Sequence, residues 1–184
     1  MKATDELVKE HEAIKLMLSI LEQVCLRIDQ GEKIIPTTLD NIVEFIRVFA
    51  DKCHHGKEED LLFPAMVKMG IPQNGGPIGV MLSEHKMGRD FVKGMLTGID
   101  YYKENKEGWS FLFSENARKY IQLLRQHIDK EDNILYPMAN QRLSSEQQKE
   151  LLRQFENVEV EIVGAGKHEE FHELLRQLKE KFLQ

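Results

Sequence analysis

The eleven residues from His54 read HHGKEEDLLFP, and the eleven from His127 read HIDKEDNILYP. A shift of 73 places His54 on His127, Glu58 on Glu131, Leu62 on Leu135, Phe63 on Tyr136 and Pro64 on Pro137. A shift of 74 places Glu10 and His11 on Glu84 and His85. The chain therefore contains two copies of one pattern, a His followed some forty residues later by His-x-x-x-Glu. On a helix, positions i and i+4 lie one turn apart on the same face. A His and a Glu so placed can approach one metal ion together, and a carboxylate can also bridge two ions. Two antiparallel copies would form a box with bridging carboxylates at its centre and imidazoles at its ends. Mixed nitrogen and oxygen ligation suits Fe, Mn or Zn and needs no thiolate. A lone His-x-x-x-Glu is common on solvent faces. Two in register, each with a further His and a Pro in frame, form a far more specific signal.

The first motif is doubled, because His55 and Glu59 repeat the spacing of His54 and Glu58. Alignment through Pro64 selects His54 and Glu58. His55 and Glu59 are then expected to orient ligands, to join the site or to lie on a solvated face. The C-terminal segment carries HEEFH from His168 to His172, which matches the HExxH zinc signature. No other protease feature accompanies it, and packing or surface placement is the expectation for both histidines. Cys53 reads as a small buried residue. Phe63 and Tyr136 are expected to pack around the site, with Tyr136 able to donate a hydrogen bond.

Helical periodicity accounts for the elements that must position these groups, and no strand pattern competes. The spacing predicts a first helix over about 5–30, stopped by Gly31, and a second over about 36–69, opened by Pro36. Breakers from Gly70 to Gly79 form a loop. A third helix is predicted over about 78–104 and a fourth over about 109–140. Ser144 and Gln147 form a capping box for a fifth, and a sixth spans about 167–182 after Gly164 and Gly166. Long helices with short connections imply an all-α, up-down four-helix bundle. One domain is expected over 1–184, with a metal-binding core over about 5–140 and a helical extension over about 144–184.

The elements Glu10-His11, His54/Glu58, Glu84-His85 and His127/Glu131 together resemble the hemerythrin-like (HHE cation-binding) family. The resemblance covers most of the chain. It implies a four-helix bundle holding two iron ions, oxo- or hydroxo-bridged and without haem, that meet O2, peroxide, NO or iron itself. It implies that His11 and His54 bind one metal, that His85 and His127 bind the other, and that Glu58 and Glu131 bridge them. Oxygen-carrying members have a further His one turn after the third-helix His, where this chain has Arg89. Arginine is no metal ligand at ordinary pH. One metal would be a ligand short, which suits a reactive or sensing site better than oxygen carriage. Arg89 would orient a bound anion or lie in solvent, and His168 or His172 would be available to supply the missing ligand. The resemblance leaves a second reading open, an iron donor for storage or cluster repair.

Composition narrows the classes further. The chain is 41% hydrophobic and 30% charged with a net charge of −6, which disfavours nucleic-acid binding. No apolar run reaches the roughly 20 residues of a membrane helix, and charges interrupt the N-terminal segment as they would not in a secretion signal. Cys25 and Cys53 form no CxxC pair, so a reducing cytoplasm is the expected setting. The expected partner is a small diatomic molecule or peroxide.

Overall fold

The computed structural model describes residues 1–164 and 166–183, the side chains of 162 and 163 excepted. It contains six helices and, among the described residues, no strand. These are α1 (Ala3–Asp29), α2 (36–68), α3 (Pro77–Lys103), α4 (109–142), α5 (145–163) and α6 (Lys167–Phe182). The boundaries fall within about two residues of those read from the sequence, because the signals at the ends are local. Pro36 and Pro77 open α2 and α3. Ser144 Oγ accepts from the Gln147 amide, and Gln147 Oε1 accepts from the Ser144 amide, closing the capping box of α5.

Periodicity did not reveal that α2 and α4 are partly π-helical. In α2 the wide turns cover Ile46–His55 and Glu58–Leu62, and in α4 they cover Glu131–Leu135. The segments that begin at Glu58 and Glu131 coincide under the 73-residue shift, so the repeat extends to backbone geometry. The segment before His55 has no counterpart in α4, which is regular from Trp109 to Lys130. π turns are rare and concentrate at functional sites.

The buried apolar residues form two clusters with the polar repeat between them. On α1 the order is Leu7, then His11, then Ile14. On α2 it reverses, with Phe49 before His54 and Leu62 after it. On α3 Met81 precedes His85 and Val92 follows, and on α4 Leu124 precedes His127 and Leu135 follows. Helix α5 adds Leu151 and Phe155 to one cluster, while α6 adds Phe171, Leu175 and Phe182 to the other. Helices α3 and α4 meet closely at Gly98, where a Cβ would lie 2.8 Å from the Phe113 amide nitrogen. Among the described residues no helix is long and apolar enough to cross a membrane.

Candidate metal centre

Each first-half histidine points one ring nitrogen inward and gives the other to a carboxylate. His11 Nδ1 pairs with Asp132 at 2.7 Å and His54 Nδ1 with Glu10 at 2.7 Å. In the second half, His85 Nδ1 pairs with Glu59 at 2.7 Å and His127 Nδ1 with Glu84 at 2.9 Å. These contacts hold the Nδ1–H and aim Nε2 at the interior, where its lone pair serves a metal once any proton there has left. The inward nitrogens then face one another, His11 to His54 at 3.0 Å and His85 to His127 at 3.1 Å. A further layer of cations holds the carboxylates. Lys15 grips Asp132 and Lys57 grips Glu10, while Arg89 grips Glu59 and Lys130 grips Glu84. Lys57 and Lys130 coincide under the shift of 73, as Lys15 and Arg89 do under the shift of 74.

Glu58 and Glu131 lie between the histidine pairs, each 0% exposed. Glu131 Oε2 is 3.3 Å from His11 Nε2 and its Oε1 is 3.0 Å from His127 Nε2. Glu58 Oε2 lies 3.3 Å from His85 Nε2 and 3.9 Å from His54 Nε2, and its Oε1 accepts from Tyr136 at 2.7 Å. Despite these approaches, neither oxygen of Glu131 nor Oε2 of Glu58 receives an aligned hydrogen bond. His55 Nε2 is likewise buried without a partner. Unsatisfied buried polar atoms cost about 1–3 kcal/mol each, and they converge here on two points. His11, His54 and Glu131 offer ligand atoms within 4.8 Å of one another, and so do His55, Glu58, His85 and His127. Nitrogen and carboxylate donors about 2.1 Å from an ion fit such spacing, so the donor set suits a pair of metal ions.

The structure thus brings together the six side chains of the repeat and adds His55. Helix α2 carries both His54 and His55 inward along its π-helical stretch, and the His55 ring stacks on His85 with centroids 3.9 Å apart. His55 thus faces Glu58, His85 and His127 from α2. Glu59 joins as the partner of His85. Arg89 reaches Asp51 and Glu59, at 2.9 and 2.8 Å, and orients them rather than facing the interior. His168 and His172 are not among the converging groups. They pair with each other, and His168 packs on Phe49. Sequence reasoning placed Glu10 and Glu84 in the repeat without giving them a role, and it gave none to Asp132, Lys15, Lys57 or Lys130, although the repeat keeps a carboxylate or a cation at each of these positions.

Burial works against charge on His11, but Asp132 and Glu131 outweigh it and lift its pKa to about 9. Burial likewise opposes charge on His127, and Glu131 and Glu84 lift its pKa to about 10. The burial of Glu58 is outweighed by the surrounding histidines, which lower its pKa to about 2. Raised histidine pKa values stabilise the folded chain below pH 6.5, and that contribution disappears as pH climbs through about 9 to 10. Kept in chelator, the protein should therefore lose thermal stability across that window. Metal loading needs neutral imidazoles, so uptake at pH 7 should release about two protons per chain. Unfolding scans with EDTA check the first expectation and pH-stat titration the second. A midpoint rising from pH 6.5 to 9 would overturn the electrostatic account.

Residues 2–139 match the family model described as the hemerythrin HHE cation-binding domain. An uncharacterized protein of Mycobacterium tuberculosis is 21% identical over 157 residues, covering 85% of this chain and 61% of that protein. The iron-sulfur cluster repair protein YtfE of Salmonella paratyphi B is 36% identical over 90 residues, covering 47% of this chain and 40% of that protein. The chain thus spans less than two thirds of the length of these relatives. No solved structure matches at a significant level. With three quarters of its length matched, the chain belongs to the hemerythrin HHE cation-binding domain family.

Proposed function

We propose that this is a non-haem di-iron protein that binds, senses or detoxifies O2, peroxide or NO. The observation that carries the reading is Glu131, whose two buried oxygens, neither in an aligned hydrogen bond, face His11 on one side and His127 on the other. In this reading His11 and His54 hold one ion and His85, His127 and His55 the other, with Glu58 and Glu131 bridging. Fe is the proposed metal, with Zn or Mn as alternatives. The alternating order of the two apolar clusters along α1 to α4 supports an up-down four-helix core within a single domain. Cys25 and Cys53 are buried and unpaired, which suits the reducing cytoplasm.

Bound there, iron would supply one-electron redox chemistry and a place for a small exogenous ligand. The chain's own groups set the conditions for it. Glu10, Glu59, Glu84 and Asp132 hold the imidazoles in the ligating tautomer. Tyr136, 2% exposed, holds Glu58 in place and keeps water from that side.

The decisive experiment loads the purified protein with Fe(II) without oxygen, counts iron per chain, and follows the optical spectrum on adding air or peroxide. The expected result is about two irons per chain, with near-ultraviolet bands growing on oxidation. His55→Ala should reduce the tightly held iron to about one per chain. A folded protein that takes up no iron would sink the proposal. A second reading, an iron donor, draws support from the likeness to a cluster repair protein. In that case iron is cargo and should pass to a chelator within minutes, whereas a reactive centre should retain it for hours.

A further inference from the structure

A cleft of about 300 Å³ runs between α2 and α3 from the surface to His55 and His85. We propose that it binds a small organic anion with an apolar body, held beside the candidate metal pair. A water molecule occupies about 30 Å³ and an engineered cavity of about 150 Å³ takes benzene, so the cleft exceeds what a diatomic ligand needs. It falls at the lower end of the range for organic ligands.

The repeat explains why the cleft opens on this side. Under the 74-residue shift, Gly88 stands where the first half has the buried Ile14. A side chain at Gly88 would extend toward Tyr120, whose ring carbon lies 3.5 Å from the position of an added Cβ. Its absence leaves a space walled by Ile46, Val92, Leu96 and Tyr120. Arg89, drawn aside to Asp51 and Glu59, does not fill that space.

The charges on the cleft's walls identify the occupant's chemistry. Arg47, Lys52, Arg89 and Lys93 line the cleft against one acid, Asp51. Arg89 is committed to Asp51 and Glu59 and Lys93 to Asp90, and Arg47 has only a loose contact with Glu44 at 3.8 Å. Lys52 forms no ion pair among the described residues. A carboxylate at the Lys52–Arg47 rim, with its apolar body against Ile46 and Val92, satisfies both the charge and the wall. The anion's place beside the ions rests on the di-iron reading, whereas the cleft itself does not.

Calorimetric titration of the iron-loaded, full-length protein tests this with octanoate, butanoate and 1-octanol. Octanoate should bind saturably at one site per chain, and butanoate at least about tenfold more weakly for its four missing methylenes. Val92→Trp should abolish octanoate binding with iron content unchanged. Lys52→Glu, at an exposed position that folding tolerates, should weaken octanoate about tenfold and spare 1-octanol. No saturable octanoate binding, or binding unchanged in the Lys52→Glu protein, overturns the proposal. Octanoate binding by a chain that takes up no iron would sink the di-iron reading and leave the cleft standing.

Discussion

Glu131→Ala should lower metal affinity by more than about 100-fold and leave less than one tightly held ion per chain, because one carboxylate faces both clusters. Its Oε2 approaches His11 and its Oε1 approaches His127, so its loss removes a donor from each side at once. Removing a histidine that serves one side should act differently. His11→Ala should weaken the cluster of His54 and Glu131 and spare that of His55, Glu58, His85 and His127. Asp132→Asn, which only loosens the tautomer of His11, should cost about 10–100-fold. Metal content after gel filtration and competition against a chelator of known affinity would measure all three. Two retained ions in the Glu131→Ala protein would refute the bridging role. The folded state must also be followed, since alanine leaves protonated His11 and His127 without their shared carboxylate. Far-ultraviolet circular dichroism of the chelated variant separates loss of metal from loss of fold.

The parts of this architecture that could be read from the sequence are those where local chemistry and repetition agree. Helix ends were legible because Pro36 and the Ser144 capping box act within a few residues, whereas Pro77, read as part of the breaker loop, opens α3. The six side chains of the repeat were legible because His-x-x-x-Glu recurs in frame. The role of His55 was not. Regular α-helical spacing turns it about 100° from His54, so the sequence does not show that both rings are buried, as they are at the end of the π-helical stretch Ile46–His55. Arg89 was equally obscure, since a missing fifth histidine suggests an open position or a ligand-binding arginine. Its counterpart Lys15 resolves the question, because both side chains hold the carboxylate that holds a histidine. His168 and His172 fit a zinc motif in sequence, but α6 packs its Phe171 against Phe45 and Phe49 and sets both histidines beside that patch. The distinction is tertiary, and nothing in HEEFH encodes it.

Lys57→Met should be the most damaging change outside the clusters themselves. Lys57 is 0% exposed and its ammonium meets Glu6 at 2.8 Å, Glu10 at 2.6 Å and Glu159 at 2.6 Å. Through Glu10 it supports His54, and through Glu159 it ties α5 to that same histidine. Methionine keeps the length of the side chain and removes its charge, leaving Glu10, itself 6% exposed, without a cation. Breaking a buried pair in this way costs about 3–5 kcal/mol, or a midpoint about 10 °C lower for a chain of this size. Its repeat counterpart supplies the control. The Lys130 side chain is 34% exposed and meets Glu84 alone, so Lys130→Met should cost less than about 1 kcal/mol. Adding Glu10→Gln to Lys57→Met should recover part of the stability, because the amide needs no countercharge. It should not restore metal affinity, since a glutamine holds His54 less strongly than a carboxylate. Thermal scans of the four proteins in EDTA, together with iron affinity, separate the two effects. Equal losses from Lys57→Met and Lys130→Met would mean that the tie from α5 to the metal centre contributes nothing, and that the two halves of the repeat are as alike in energy as they are in sequence.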